Sequence, residues 1–211
     1  LDQILITSTS ETYGSAKYVP MDESHPCLGQ SPYSASKIAA DQLSISYHKS
    51  FNLPIKIVRP FNTYGPRQSS RAIIPTIISQ CLKKDKTLSL GNLKPTRDLT
   101  YVVDTCNGFL EILKSDNFLG EIINIGSNSE ISINDLVHKI MNLMQVNLEI
   151  NSEDMRVRPE NSEVDRLKCE NSKLKNNTNW KISFSLELGL KETISWIEKK
   201  GNYYKSDIYN V

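Results

Sequence analysis

Tyr33 and Lys37 stand four residues apart in Ser31-Pro32-Tyr33-Ser34-Ala35-Ser36-Lys37. They follow a short apolar run, Ile4-Leu5-Ile6, that breaks into the hydroxyl residues Thr7 to Ser10 and then Glu11. On a helix, that spacing puts both side chains on one face. A lysine ammonium beside a phenol favours the phenolate, so the pair can take a proton from an alcohol. A strand end lined by hydroxyls can bind that alcohol. Ordinary readings compete. Tyr13-Gly14-Ser15-Ala16-Lys17 has the same spacing, but Gly14 and nearby Pro20 make it a turn or loop. Ser8-Thr9-Ser10-Glu11 also fits a helix-capping box. Tyr33, by contrast, has Ser31 as N-cap, Pro32 at the first helical position, and Ala35, Ala39 and Ala40 behind it. Both motifs in this order, after one strand, favour chemistry.

Such groups need a scaffold, and the chain reads as alternating strands and helices. Residues 4–7 are apolar enough for a central parallel strand, and ligands in parallel sheets bind beyond the carboxyl ends of strands. A helix is expected from Pro32 to about Phe51, then a strand over 55–59. The loop Phe61 to Arg67 follows that strand's carboxyl end, as ligand loops do. Further helices are expected near 73–84, 102–114, 133–144 and 186–200, the last two capped by Ser132 and Ser185. Short strands are expected near 88–90, 121–125 and 148–150. Residues 151–161 and 171–181 read as polar loop or turn, and an isolated Arg97-Asp98 reads as a surface ion pair. The fold class is therefore α/β.

The 211 residues carry a net charge of +1, spread evenly, so no nucleic-acid or membrane footprint appears. Cys27, Cys81, Cys106 and Cys169 are widely spaced, and His25, His48 and His138 are scattered. This pattern predicts reduced thiols in a cytoplasmic protein and no metal site. No apolar run approaches the ~20 residues of a membrane span.

Five motifs together resemble a known family: Ser8 to Gly14 (STSETYG), Ser31 to Lys37 (SPYSASK), Arg59 to Arg67 (RPFNTYGPR), Arg97 to Asp104 (RDLTYVVD) and Arg158 to Leu167 (RPENSEVDRL). The chain resembles the extended short-chain dehydrogenase/reductases. Within them it is most similar to the NAD-dependent nucleotide-sugar 4,6-dehydratases, in particular those acting on nucleotide-linked N-acetylglucosamine in legionaminic acid biosynthesis.

The resemblance implies the C-terminal part of a Rossmann-type doubly wound sheet over residues 1–66. Residues 67–211 would be mainly a small α/β substrate-binding domain, with some segments returning to the first. It implies Thr9, Ser10, Glu11, Tyr33 and Lys37 as catalytic residues. Ser8, Tyr33, Lys37, Pro60 and Thr63 would bind NAD. Thr9, Asn62, Arg67, Ile74, Arg97, Asn124 and Arg158 would bind a nucleotide sugar, with Arg97 and Arg158 at its diphosphate. It further implies a homodimer in which the Tyr33 helix pairs across a two-fold axis.

Two departures shape the expectation. Dehydratases of this kind commonly read Thr-Asp-Glu, and here Ser10 replaces the acid that protonates the leaving hydroxyl. Thr-Ser-Glu also occurs in nucleotide-sugar uronate decarboxylases, which makes a UDP-uronate decarboxylase the alternative, with a 4-epimerase behind it. The Gly-rich first turn of a dinucleotide fold is also absent, since the first glycine is Gly14. Roughly 100 residues of βαβ units would precede this stretch in the family. The expectation is of a fragment or one part of a split protein, and a non-catalytic substrate-domain piece is the reading from another class.

Overall fold

The computed structural model describes residues 2–83, 86–153 and 163–200. It has the expected α/β architecture. Strand β1 (Ile4–Thr7) leads through a 3-10 turn (Ser10–Tyr13) and a loop to helix α1 (Pro32–Phe51) and strand β2 (Ile55–Pro60). Helix α1 starts where the sequence places its signals: the Ser31 hydroxyl accepts from Ser34 N, Ser34 answers to Ser31 N, and Pro32 opens the first turn. It ends at Asn52, whose left-handed backbone (φ 54°) stops the helix.

Strand β3 (Asn62–Tyr64), helix α2 (Ile73–Leu82) and strands β4 (Thr87–Leu90) and β5 (Thr96–Tyr101) follow. Next come helix α3 (Val102–Lys114), strands β6 (Ile122–Ile125) and β7 (Glu130–Ser132), helix α4 (Ile133–Met144) and strand β8 (Glu149–Ser152). Helices α5 (Ser172–Asn177) and α6 (Leu186–Lys200) close the described chain.

Among the described residues the strands form three small sheets: parallel β1-β2-β6, mixed β3-β5-β7 and parallel β4-β8. In the first, Ile4 pairs with Ile55 and Val58 with Ile123, so three segments far apart in sequence end on one side. Ile57, Val58, Ile123 and Ile125 are fully buried, as continuous apolar runs in parallel strands require. One core lies beneath this sheet, around Val58, Ile112, Phe118, Leu174 and Trp180. A larger one packs α2, α4 and α6 against β4 and β5 through Ile77, Ile78, Leu88, Leu136, Ile140 and Leu190.

Several elements differ from expectation. Residues 171–181 contain helix α5, in which only Leu174 is buried. Asn171, just before it, donates through its amide to Gly126 O at 2.7 Å, and Lys173 Nζ donates to Ile122 O at 2.7 Å. These tertiary bonds hold a helix that its Asn-rich composition would not. Arg97 and Asp98 lie inside β5 rather than in a surface loop before α3. The capping reading of the first motif is half right: Thr9, not Ser8, caps the 3-10 turn, accepting from Glu11 N at 3.2 Å. Among the described residues no helix is long and apolar enough to cross a membrane. All four cysteines are free.

Candidate active site

The carboxyl ends of β1 and β2 present the chemistry-bearing residues. Lys37 Nζ reaches back from α1 to Thr7 O at 3.0 Å, so the helix face carrying Tyr33 and Lys37 lies over the end of β1. Tyr33 is half exposed, and its hydroxyl makes no hydrogen bond to another described residue. The competing copy is settled against chemistry. Tyr13 is fully buried, donates to Asn124 Oδ1 at 2.7 Å and lies under the Arg59 guanidinium, 4.6 Å from ring centre to carbon. Burial pushes its phenol far above the usual range, so it stays neutral.

Beyond the 3-10 turn lies a cavity of about 660 Å³. Its wall takes Glu11 from the turn, Asn62 from β3, Arg71 to Ile74 at the start of α2, Arg97 from β5 and Glu163. Glu11 therefore joins the Tyr33–Lys37 end to the cavity. Asn62 Oδ1 is buried without a partner among the described residues. Arg97 Nη2 donates to Glu163 Oε1 at 2.9 Å, and Arg97 Nη1 to Thr96 O at 2.9 Å. Helix α2 has Ala72 at its N-cap and no side-chain cap, and its first residues, Ile73 and Ile74, line the cavity.

Of the expected site residues, the structure gathers Glu11, Asn62, Ile74 and Arg97 around one cavity. Thr9, Tyr33 and Lys37 are outside its wall, Lys37 being bonded to Thr7 O at the end of β1 and Thr9 lying two residues beyond. Others sit differently. Ser8, expected at the cofactor, is buried, and its hydroxyl donates to Asp41 Oδ2 at 2.9 Å. Thr63 Oγ1 is likewise turned inward, donating to Phe61 O at 3.3 Å, with Thr105 Oγ1 at 3.0 Å. Pro60 ends β2, half-buried. Ser10 is 3% exposed and outside the cavity wall. Arg67 is exposed, with a left-handed backbone (φ 67°) after Gly65-Pro66, and also lies outside the wall.

Asn124, expected to touch substrate, is fully buried. Its side chain is taken by Tyr13 and by Met21 O, 3.3 Å away. Arg158 lies outside the described residues. The sequence reading passed over Arg71, which lines the cavity; its side chain has no partner among the described residues. Nothing marked it but its place before the apolar start of α2.

The GDP-mannose 4,6 dehydratase family profile matches residues 2–193. The human dTDP-D-glucose 4,6-dehydratase is 31% identical, over 98% of this chain and 59% of its own length. The dTDP-glucose 4,6-dehydratase of Bacillus anthracis, solved in complex with NAD, has a TM-score of 0.88 and 32% identity. That match covers 96% of this chain and 64% of that one. The UDP-glucuronic acid 4-epimerase of Bacillus cereus, solved with UDP-glucuronic acid and NAD, has a TM-score of 0.86 and 30% identity. There the coverage is 94% and 62%. The chain thus spans about three fifths of the length of the curated relatives it matches. The motifs at the end of β1, their geometry and the match over residues 2–193 agree: this chain belongs to the GDP-mannose 4,6 dehydratase family of extended short-chain dehydrogenase/reductases.

Proposed function

We propose that this chain is the catalytic and substrate-binding part of an NAD-dependent nucleotide-sugar 4,6-dehydratase acting on UDP- or GDP-N-acetylglucosamine. The observation that carries the reading is the Tyr33–Lys37 face lying over the end of β1, one turn from a cavity walled by Glu11, Asn62 and Arg97. The sugar's C4 hydroxyl binds between Thr9 and Tyr33, and Tyr33, supported by Lys37, removes its proton. The residues present fit the reactive end of NAD, because the half-exposed Tyr33 hydroxyl bonds to no other described residue and Lys37 is held at the strand end by Thr7 O. NAD, when bound, would supply the hydride-accepting and hydride-donating chemistry that the oxidation at C4 and the reduction at C6 require. Once C4 is a ketone the C5 hydrogen is acidic, and Glu11 takes it as the C6 hydroxyl leaves as water. Ser10 is too weak an acid to protonate that hydroxyl directly, so Glu11 handles both protons or a water relays one.

The full enzyme acts in the cytoplasm, in a pathway such as that to legionaminic acid. It works as a homodimer through α1, whose Leu43, Tyr47 and Phe51 are exposed. Elution at monomer mass at micromolar concentration would overturn the dimer.

The test incubates the full-length gene product with UDP- and GDP-N-acetylglucosamine and NAD in heavy water. Loss of water with deuterium at C5 is expected. Carbon dioxide from a UDP-uronate instead would favour the decarboxylase, to which the buried Ser10 lends support. Arg71 provides a second check. Arg97 is already held by Glu163, which leaves Arg71 and the uncapped α2 amides to meet a phosphate. A hydrogen bond to a charged group contributes about 1.5–3 kcal/mol. Arg71→Ala is therefore expected to weaken UDP binding by about tenfold or more in calorimetry, while Arg67→Ala leaves it within about twofold.

A further inference from the structure

Asp41 lies on α1 at the same spacing again, so Tyr33, Lys37 and Asp41 form one stripe at i, i+4 and i+8. Unlike Tyr33 it is fully buried. Its Oδ2 alone accepts three hydrogen bonds, from Ser8 Oγ at 2.9 Å, Arg59 Nε at 3.0 Å and Arg59 Nη2 at 2.8 Å. Its Oδ1 has no partner among the described residues. Arg59, 1% exposed, is itself held against the Tyr13 ring.

Such a pair is poorly explained by stability, because well-packed apolar residues in place of a buried ion pair are often as stable or more so. Its location is more informative. Ser8 sits between Thr7, whose carbonyl accepts the Lys37 ammonium, and Thr9, which caps the turn carrying Glu11. One hydroxyl thus joins the helix with the proton-transfer pair to the strand end with the alcohol-binding and second-base residues. The Asp41–Arg59 pair fixes the carboxylate that this hydroxyl must find.

We infer that the Ser8–Asp41 hydrogen bond is the positioning contact that sets Tyr33 and Lys37 in register with Thr9 and Glu11. Ser8 is then a positioning residue and not a cofactor ligand. The inference rests on the proposed dehydratase reading, since it presumes that both sets of residues act on one sugar. Misplacing reacting groups by about 1 Å can cost on the order of a hundredfold.

The test is steady-state kinetics of the full-length gene product carrying Ser8→Ala or Ser8→Thr, on the nucleotide sugar that the unaltered protein turns over. Ser8→Ala leaves the Asp41–Arg59 pair intact. It is expected to lower kcat by about ten- to a hundredfold, with KM for sugar and NAD within about twofold. Ser8→Thr, which keeps the hydroxyl, is expected to recover most of the loss. An unchanged kcat in Ser8→Ala, with or without a lower melting temperature, would overturn the inference. So would a raised KM for NAD at unchanged kcat, which makes Ser8 a cofactor contact, or failure of Ser8→Thr to recover activity. If the unaltered protein turns over no nucleotide sugar, the dehydratase reading falls and takes this inference with it. If it is active and Ser8→Ala matches it, only the inference falls.

Discussion

Replacing Tyr33 with Phe is expected to lower kcat of the full-length gene product by about a hundredfold to ten-thousandfold, the range that a positioned acid–base group contributes. The change removes one oxygen and keeps the ring. Tyr33 is half exposed and its hydroxyl bonds to no described residue, so no contact that holds the fold is lost. It also lies outside the cavity wall, so nucleotide binding is expected to persist within about twofold. Calorimetry with UDP and a thermal melt, run beside the kinetics, separate these effects. Lys37→Met should follow in direction. It also removes the bond from Lys37 Nζ to Thr7 O, so part of its loss comes from a looser seat of α1 on β1. Turnover by Tyr33→Phe near the unaltered rate would mean that another group, with Glu11 in the cavity wall the first candidate, takes the C4 hydroxyl proton.

The elements that carry this chemistry were legible because their signals are local. Ser31-Pro32 starts α1, Ser132 caps α4 by accepting from Asp135 N at 3.0 Å, and Ser185 accepts from Leu188 N at 3.2 Å at the head of α6. Apolar runs at Ile4–Thr7 and Ile55–Pro60 mark the parallel strands in the same direct way. What stayed hidden depends on partners far along the chain. Strand β3 pairs Asn62 with Leu99, and β5 pairs Arg97 with Ile131, so neither strand has a period of its own to betray it. Helix α5 exists through bonds to Gly126 and Ile122.

At the site the same division holds. Residue types and spacing pointed to Tyr33 and Lys37 and to the hydroxyls and Glu11 at the end of β1, and the family resemblance gave Thr9, Ser10, Glu11, Tyr33 and Lys37 their expected roles. They could not tell whether a hydroxyl or amide faces outward. Ser8, Thr63 and Asn124 have the right chemistry and are committed inside the protein. Arg71 and Glu163 meet at one cavity wall although 92 positions separate their numbers, 71 and 163.

Asp98 is where the sequence reading and the structure diverge with the largest consequence for stability. Alternation along β5 turns Arg97 toward the cavity and Asp98 inward, so the two cannot pair with each other. Asp98 is fully buried and accepts from Ser127 N at 2.7 Å, Ser127 Oγ at 2.7 Å, Asn128 N at 2.9 Å and Cys169 N at 3.0 Å. It ties the turn after β6 to the segment before α5. Asp98→Ala would leave these donors without their acceptor, at about 1–3 kcal/mol for each that water cannot reach. A total loss of about 4 kcal/mol or more is expected, which for a chain of this size is a melting temperature lower by roughly 10 °C. Asp98→Asn keeps one acceptor oxygen but turns an amide toward N–H groups, and should fall between.

The pH dependence has a definite sign. Burial, opposed by the four hydrogen bonds, leaves the carboxyl pKa above its ordinary value. Below the ordinary value both folded and unfolded chains hold the proton, and Asp98 contributes its full share. As pH rises from there toward the raised value, the unfolded chain ionises more readily, and that share declines. The stability gap between the unaltered protein and Asp98→Asn should therefore narrow with rising pH across that window. Urea melts from about pH 4 to about pH 7 would read it. A gap that widens instead would mean that the four donors outweigh burial and hold Asp98 ionised.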